Sequence, residues 1–145
     1  MKNAKSARRE AREIALQALY AWQLTGGDPL EQASAIAAER GVENAFVRTL
    51  VAGVRDSAAE LEQRIAPCLD RDFKRLSPVE RAILYIGAFE LGAHPGTPFK
   101  VVLNEAIELG KSFGGTDGHR FVNGVLEKVA AALRPEEVAR ARKIA

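Results

Sequence analysis

The chain has 145 residues, 47% hydrophobic and 6% aromatic, and a formal net charge of +2. That length supports one domain with a real core, and an alanine- and leucine-rich, aromatic-poor composition favours helix over sheet. A single cysteine, Cys68, excludes an internal disulfide and a cysteine zinc cluster. No apolar run reaches the roughly 20 residues of a membrane span. The charged start lacks the apolar segment of a secretion signal, so a cytoplasmic protein without membrane contact is expected.

The first predicted helix, about Ser6 to Leu24, joins a basic cluster (Lys2, Lys5, Arg8, Arg9, Arg12) to an apolar stripe (Ile14, Ala15, Ala18, Leu19, Trp22). Residues 1–12 net +4, with Glu10 as the one acid, while the rest of the chain nets −2. The basicity is therefore local, as in a docking surface for a polyanion. At about 100° per residue, Lys5, Arg8, Arg9 and Arg12 share one arc. The helix is expected to bury one side and hold the guanidinium groups beside the core, facing water. Arginine pairs its planar fork with phosphate and also stacks on unpaired bases, which favours RNA at least as much as DNA. Charge alone is equally compatible with a solvated, frayed terminus.

Further along, Asp28-Pro29-Leu30-Glu31 and Ser77-Pro78-Val79-Glu80 both read as N-cap, proline at the first helical position, then a glutamate that reaches back. They start a second helix, Pro29 to Arg40, and a fourth, Pro78 to Leu91. A long third helix between them carries Phe46, Leu50, Val54, Leu61 and Ile65 on its apolar stripe, with Pro67 near its end. Thr97-Pro98 opens a fifth helix, Pro98 to Phe113, and a sixth runs from about Gly118 to Leu133. Pro135-Glu136-Glu137 begins a short, charged seventh. Gly26-Gly27, Gly41, Gly92 and Gly114-Gly115 supply stops. No segment alternates as a strand does. The expectation is an all-α protein of about seven helices in two packed helical subdomains, about 1–70 and 71–145, divided at the charged stretch around Asp70-Arg71-Asp72.

Catalytic signatures are missing. Gly110-Lys111-Ser112 superficially resembles a phosphate-binding loop, but Glu105 stands where the earlier glycine belongs and no strand precedes it. Neither His94 nor His119 sits in a glutamate-x-x-histidine unit, which argues against a di-iron bundle. No enzyme activity, metal or cofactor is expected. Asn104, Glu105 and Asn123 are unusual inside helices and are expected to make interhelical hydrogen bonds. The glycine-rich loop Phe113 to Phe121 could hold phosphate on free backbone N–H groups, with Arg120 adding charge and Phe121 stacking a base. A plain turn with Phe121 in the core fits the same pattern.

Five stretches carry a resemblance: Arg8-Arg9-Glu10-Ala11-Arg12, QALYAWQL (Gln17 to Leu24), VERAIL (Val79 to Leu84), NEAIELGKSFG (Asn104 to Gly114) and FVNGVLEK (Phe121 to Lys128). In order and spacing they resemble the bacterial transcription antitermination factor NusB family, along nearly the full chain. The resemblance implies an all-α fold of two helical bundles. It also implies binding of the boxA element of nascent, single-stranded ribosomal RNA transcripts together with the ribosomal protein NusE, within an RNA polymerase antitermination complex with other Nus factors. Carried over by position, it assigns RNA contact to Arg8, Arg9 and Arg12, helped by Lys2 and Lys5, and to Asp117, Arg120 and Phe121. Asp117 would accept a hydrogen bond from a base or hold an arginine in place. Glu80 matches a position facing the ribosomal partner, and competes there with its own capping role.

Two departures stand out. Ala7 replaces an arginine found in some relatives, and residues 134–145 match the family pattern poorly. Two other readings stay open at this stage: an RNA-gripping accessory domain for a ribosomal RNA methyltransferase, and a helical adaptor that binds only protein. Exposed apolar surface on the first helix also offers a route to a homodimer that hides the arginines.

Overall fold

The computed structural model describes residues 3–113 and 118–144. They form seven α-helices and no strand: α1 (Ala4–Thr25), α2 (Pro29–Arg40), α3 (Ala45–Ile65), α4 (Pro78–Ala93), α5 (Phe99–Phe113), α6 (Gly118–Leu133) and α7 (Pro135–Ile144). Two short 3-10 turns, Ala66–Cys68 and Phe73–Arg75, lie between α3 and α4. The all-α expectation holds. The chain divides into two compact units, Met1–Ala58 and Ala59–Ala145, with the boundary inside α3.

In the first unit, α1 starts two residues earlier than the sequence suggests. The Asn3 side chain accepts from the Ser6 N–H at 2.8 Å and satisfies a donor that the helix cannot. Lys5 and Arg8 therefore sit on formed helix. Asp28 caps α2 by accepting from Leu30 N–H at 3.0 Å, with Pro29 behind it. The α2 terminus needs glycine, because Gly41 turns into the left-handed region at φ +65° while the Val42 N–H returns to the Ala37 carbonyl. Ile14, Leu19, Val47, Leu50, Val51 and Val54 are fully buried. Arg40 ties α2 to α1 through Glu10 at 3.6 Å and Glu13 at 3.4 Å.

In the second unit α4 is the central rod, packed on both α5 and α6. Its residues Ala82 to Ala88 are consecutively buried, so the helix is apolar all round rather than striped. The expected capping box is present: Glu80 N–H donates to Ser77 Oγ, and Ser77 N–H donates to Glu80 Oε1, both at 3.1 Å. At the other end α4 passes through Gly92 and stops at Ala93, two residues beyond the expected stop. Glycine does not stop this helix.

Arg134 closes it. This residue lies between α6 and α7, and its side chain is 7% exposed. Nε donates to the Leu91 carbonyl at 2.9 Å, and Nη2 donates to Glu90 and His94 at 3.1 and 2.8 Å. Nη1 donates to the Thr97 carbonyl at 2.6 Å and to Glu137 Oε1 at 3.1 Å. The five N–H groups of a guanidinium thus meet five acceptors, four of them backbone carbonyls in the last turn of α4 and the loop that follows it. A cation here also faces the negative end of the helix dipole. Glu137 then accepts from the Phe99 N–H at 2.8 Å and caps α5 from a distance. This explains why α5 begins at Phe99 and not at Pro98, whose carbonyl accepts the first helical bonds.

Two stability predictions follow from this fastener. Arg134→Ala should cost about 3 kcal/mol, since it strands buried acceptors, and Arg134→Lys should recover little because an ammonium offers fewer donors. Urea denaturation checks both. The bond from Phe99, followed by Arg134, holds the Glu137 carboxyl below its usual range. A carboxylate with a depressed folded-state pKa stabilises the fold above its unfolded value, about 4.3, and loses that contribution as pH falls through the folded value. Glu137→Gln should therefore be less stable than the parent at pH 7, and the gap should close below about pH 4.

Candidate nucleic-acid interface

The basic face of α1 resolves into residues with different environments. Lys5 and Arg8 are exposed, Arg9 is half-buried, and Arg12 is only 3% exposed. The expectation that all these guanidinium groups face water fails at Arg12. Both Arg8 and Arg12 neighbour Phe46 of α3, a residue of that helix's apolar stripe. Its half-buried ring lies 4.6 Å from the Arg8 guanidinium carbon and 5.4 Å from that of Arg12. An aromatic face attracts a cation and lets the aliphatic stem pack. Arg12 packs into the interior beside this ring while Arg8 remains at the surface. Lys2 lies outside the described residues.

The second set lies in the other unit. Arg120 is exposed at the start of α6, and Phe121 is half-buried. Phe121 is thus neither fully exposed nor a core residue. The Arg71 guanidinium carbon sits 4.6 Å from its ring centroid. Arg71 in turn donates to Asp70, Nε to Oδ1 at 2.8 Å and Nη2 to Oδ2 at 3.4 Å. These bonds lower the Asp70 pKa and raise that of Arg71. The loop is anchored by Phe73, edge-on to Tyr85 with centroids 5.5 Å apart, and by buried Leu76. Tyr85 donates to Glu62 at 2.6 Å, and burial together with that bond raises its pKa. Asp117 and the glycine loop before it fall outside the described residues.

Glu80 is half-buried in its capping box and adds a favourable field at Arg71. Asn123 donates to Glu127 one turn along the same helix at 3.3 Å, so its expected interhelical bond is instead local. Asn104 is exposed on α5. Among the described residues no group of histidine, cysteine or carboxylate side chains could hold a metal, and no helix is long and apolar enough to cross a membrane.

The sequence profile of the NusB family matches residues 9–131. The chain belongs to the NusB family. It is 52% identical over 143 residues to the transcription antitermination protein NusB of Bordetella pertussis, covering 94% of this chain and 93% of that one. It is 50% identical to the NusB of Paraburkholderia phytofirmans, covering 96% and 99%. Among solved structures it is similar to T. maritima NusB, with a TM-score of 0.84, 26% identity, and coverage of 97% and 99%. It is also similar to a chain in a crystal structure of antitermination factors NusB and NusE in complex with dsRNA, with a TM-score of 0.79, 28% identity, and coverage of 88% and 98%.

The NusB match spans Arg9, Arg12, Arg71, Glu80, Arg120 and Phe121, and leaves out Arg134 and Glu137. Sequence reasoning passed over Phe46 and Arg71 as site residues. Their significance lies in pairings across 34–50 residues that no local periodicity reveals. The start of α6 is positioned by Gly110, where a Cβ would stand 2.8 Å from the His119 Cα. Gly110→Ala should therefore destabilise by about 1–3 kcal/mol despite the roughly 1 kcal/mol that alanine gains in helix propensity. Equal or greater stability in a urea titration would mean that α5 and α6 do not approach so closely.

Proposed function

We propose that this chain is a non-catalytic, cytoplasmic RNA-binding antitermination factor. It binds the boxA element of nascent ribosomal RNA together with NusE and joins the RNA polymerase complex that reads through terminators. The observation that carries this reading is a family relationship spanning nearly the whole chain, which includes a relative solved with NusE and RNA. Local geometry supports it: α1 presents Lys5 and Arg8 on ordered helix, and Arg8 rests on an aromatic ring.

In this reading Lys5 and Arg8 contact phosphates and fix the position of the strand, while unpaired bases supply sequence. Arg9 lies on the same face. Arg12 acts from within as a positioning residue, since its guanidinium is buried beside the ring that supports Arg8. Arg120 and Phe121 form the second contact region. The assignments of Lys2 and Asp117 rest on the resemblance alone. Glu80 contacts NusE with the part of its carboxylate that capping leaves accessible.

Titration of single-stranded boxA RNA, a scrambled strand and a duplex, each with and without NusE, tests the reading. Specific binding should be strongest for boxA with NusE present, and RNA should tighten the protein–protein contact by the same factor. Equal affinity for the scrambled strand under both conditions removes the specific claim. Arg8→Ala should weaken binding and flatten the salt slope by about 0.7 for one lost phosphate contact. Arg12→Ala should lower stability first and leave the slope nearly unchanged in the folded fraction. Glu80→Gln keeps a capping-competent side chain, so it should weaken NusE binding without a comparable loss of stability.

A further inference from the structure

Arg71 is exposed at the surface and nonetheless held in place. Its side chain is 45% exposed, yet Asp70 grips one edge with two hydrogen bonds and Phe121 supports the guanidinium from 4.6 Å. The loop on which it sits is fastened to α4 by Phe73 and Leu76. The edge that would clasp a phosphate bidentately, Nε with Nη2, is occupied by a carboxylate. That carboxylate also makes the spot unattractive to a second anion. The planar face of the guanidinium is the remaining recognition feature, and flat π-faces stack on it.

We infer that Arg71 is a base-stacking residue of the RNA interface: one unpaired nucleobase lies on the outer face of its guanidinium, making a three-layer stack over Phe121. The inference rests on the RNA-binding reading above and adds where a base is held. A base cannot use the Phe121 face that Arg71 covers, so the aromatic ring acts through the arginine. Exposed Arg120, next to Phe121 in sequence, and Lys128, whose charge reaches Asp70, supply attraction for the RNA backbone nearby. Asp70 fixes the plane before RNA arrives, so little side-chain freedom is lost on binding.

The test compares wild type, Arg71→Lys and Arg71→Ala with NusE present. The probes are boxA RNA and a set of the same RNA with one abasic position each. Lysine keeps the charge and removes the plane. Arg71→Lys should bind boxA RNA about tenfold more weakly, the loss typical of one stacked base, with an unchanged salt slope. One abasic position should cost the wild type a similar factor and cost Arg71→Lys almost nothing. Arg71→Lys binding as tightly as wild type overturns the inference, because charge alone would then suffice. Tighter binding by Arg71→Ala also overturns it, because Arg71 would then be shielding Phe121. A wild type that does not prefer boxA over scrambled RNA sinks the RNA reading itself, a result separate from either of these.

Discussion

The end of α4 poses the constraint on which the second unit depends. Four carbonyls at a helix terminus lack intrahelical partners, and a helix buried as deeply as α4 cannot leave them all to water. The chain answers with a guanidinium from a distant segment. The same residue ends α6 and precedes Pro135, which starts α7, so three helix termini meet at Arg134. Glu137 then neutralises the buried cation and caps α5. A buried charge is tolerable when its donors are all met and a counter-charge adjoins it. With α4 fixed at both ends, Tyr85 becomes a firm base for the loop that carries Arg71.

Four arginines show how environment decides what a guanidinium does. Arg134 is consumed by backbone carbonyls and serves the fold. Arg12 is interior, and Arg8 and Arg71 lie over phenylalanine rings with their side chains reaching the surface. Among the described residues, each compact unit thus presents a surface arginine 4.6 Å above a phenylalanine ring. Aromatic backing orients a cation without neutralising it, whereas a carboxylate orients and neutralises together. Arg71 has both kinds of support, which is why it suits a base better than a phosphate.

Much of the fold was legible because its signals are local. The N-caps, the Ser77–Glu80 capping box, the proline starts and the three-to-four-residue apolar spacing locate the helices to within a few residues. Errors arose where a distant group overrode a local signal. Gly92 failed to end α4 because Arg134 supplies the cap further on, and Pro98 was displaced from α5 because Glu137 reaches Phe99. The site was legible as a list of basic residues but not as a geometry. Helical projection puts Arg12 on a wet arc, whereas the structure buries it beside the ring of Phe46, 34 positions later. Asn123 departs from its expected interhelical role for the opposite reason: a partner one turn away is available on its own helix.

Chain order gives the Arg134 fastener a temporal meaning. Leu91 precedes it by 43 residues, so during translation the last turn of α4 emerges well before its capping group exists. Until then those oxygens are open to water, to a chaperone or to a wrong donor. The second unit can reach its final packing only when residue 137 has cleared the ribosome, whereas α1 has already emerged with its cations in place. A nascent copy would thus carry its basic first helix before the framework of the second unit is locked.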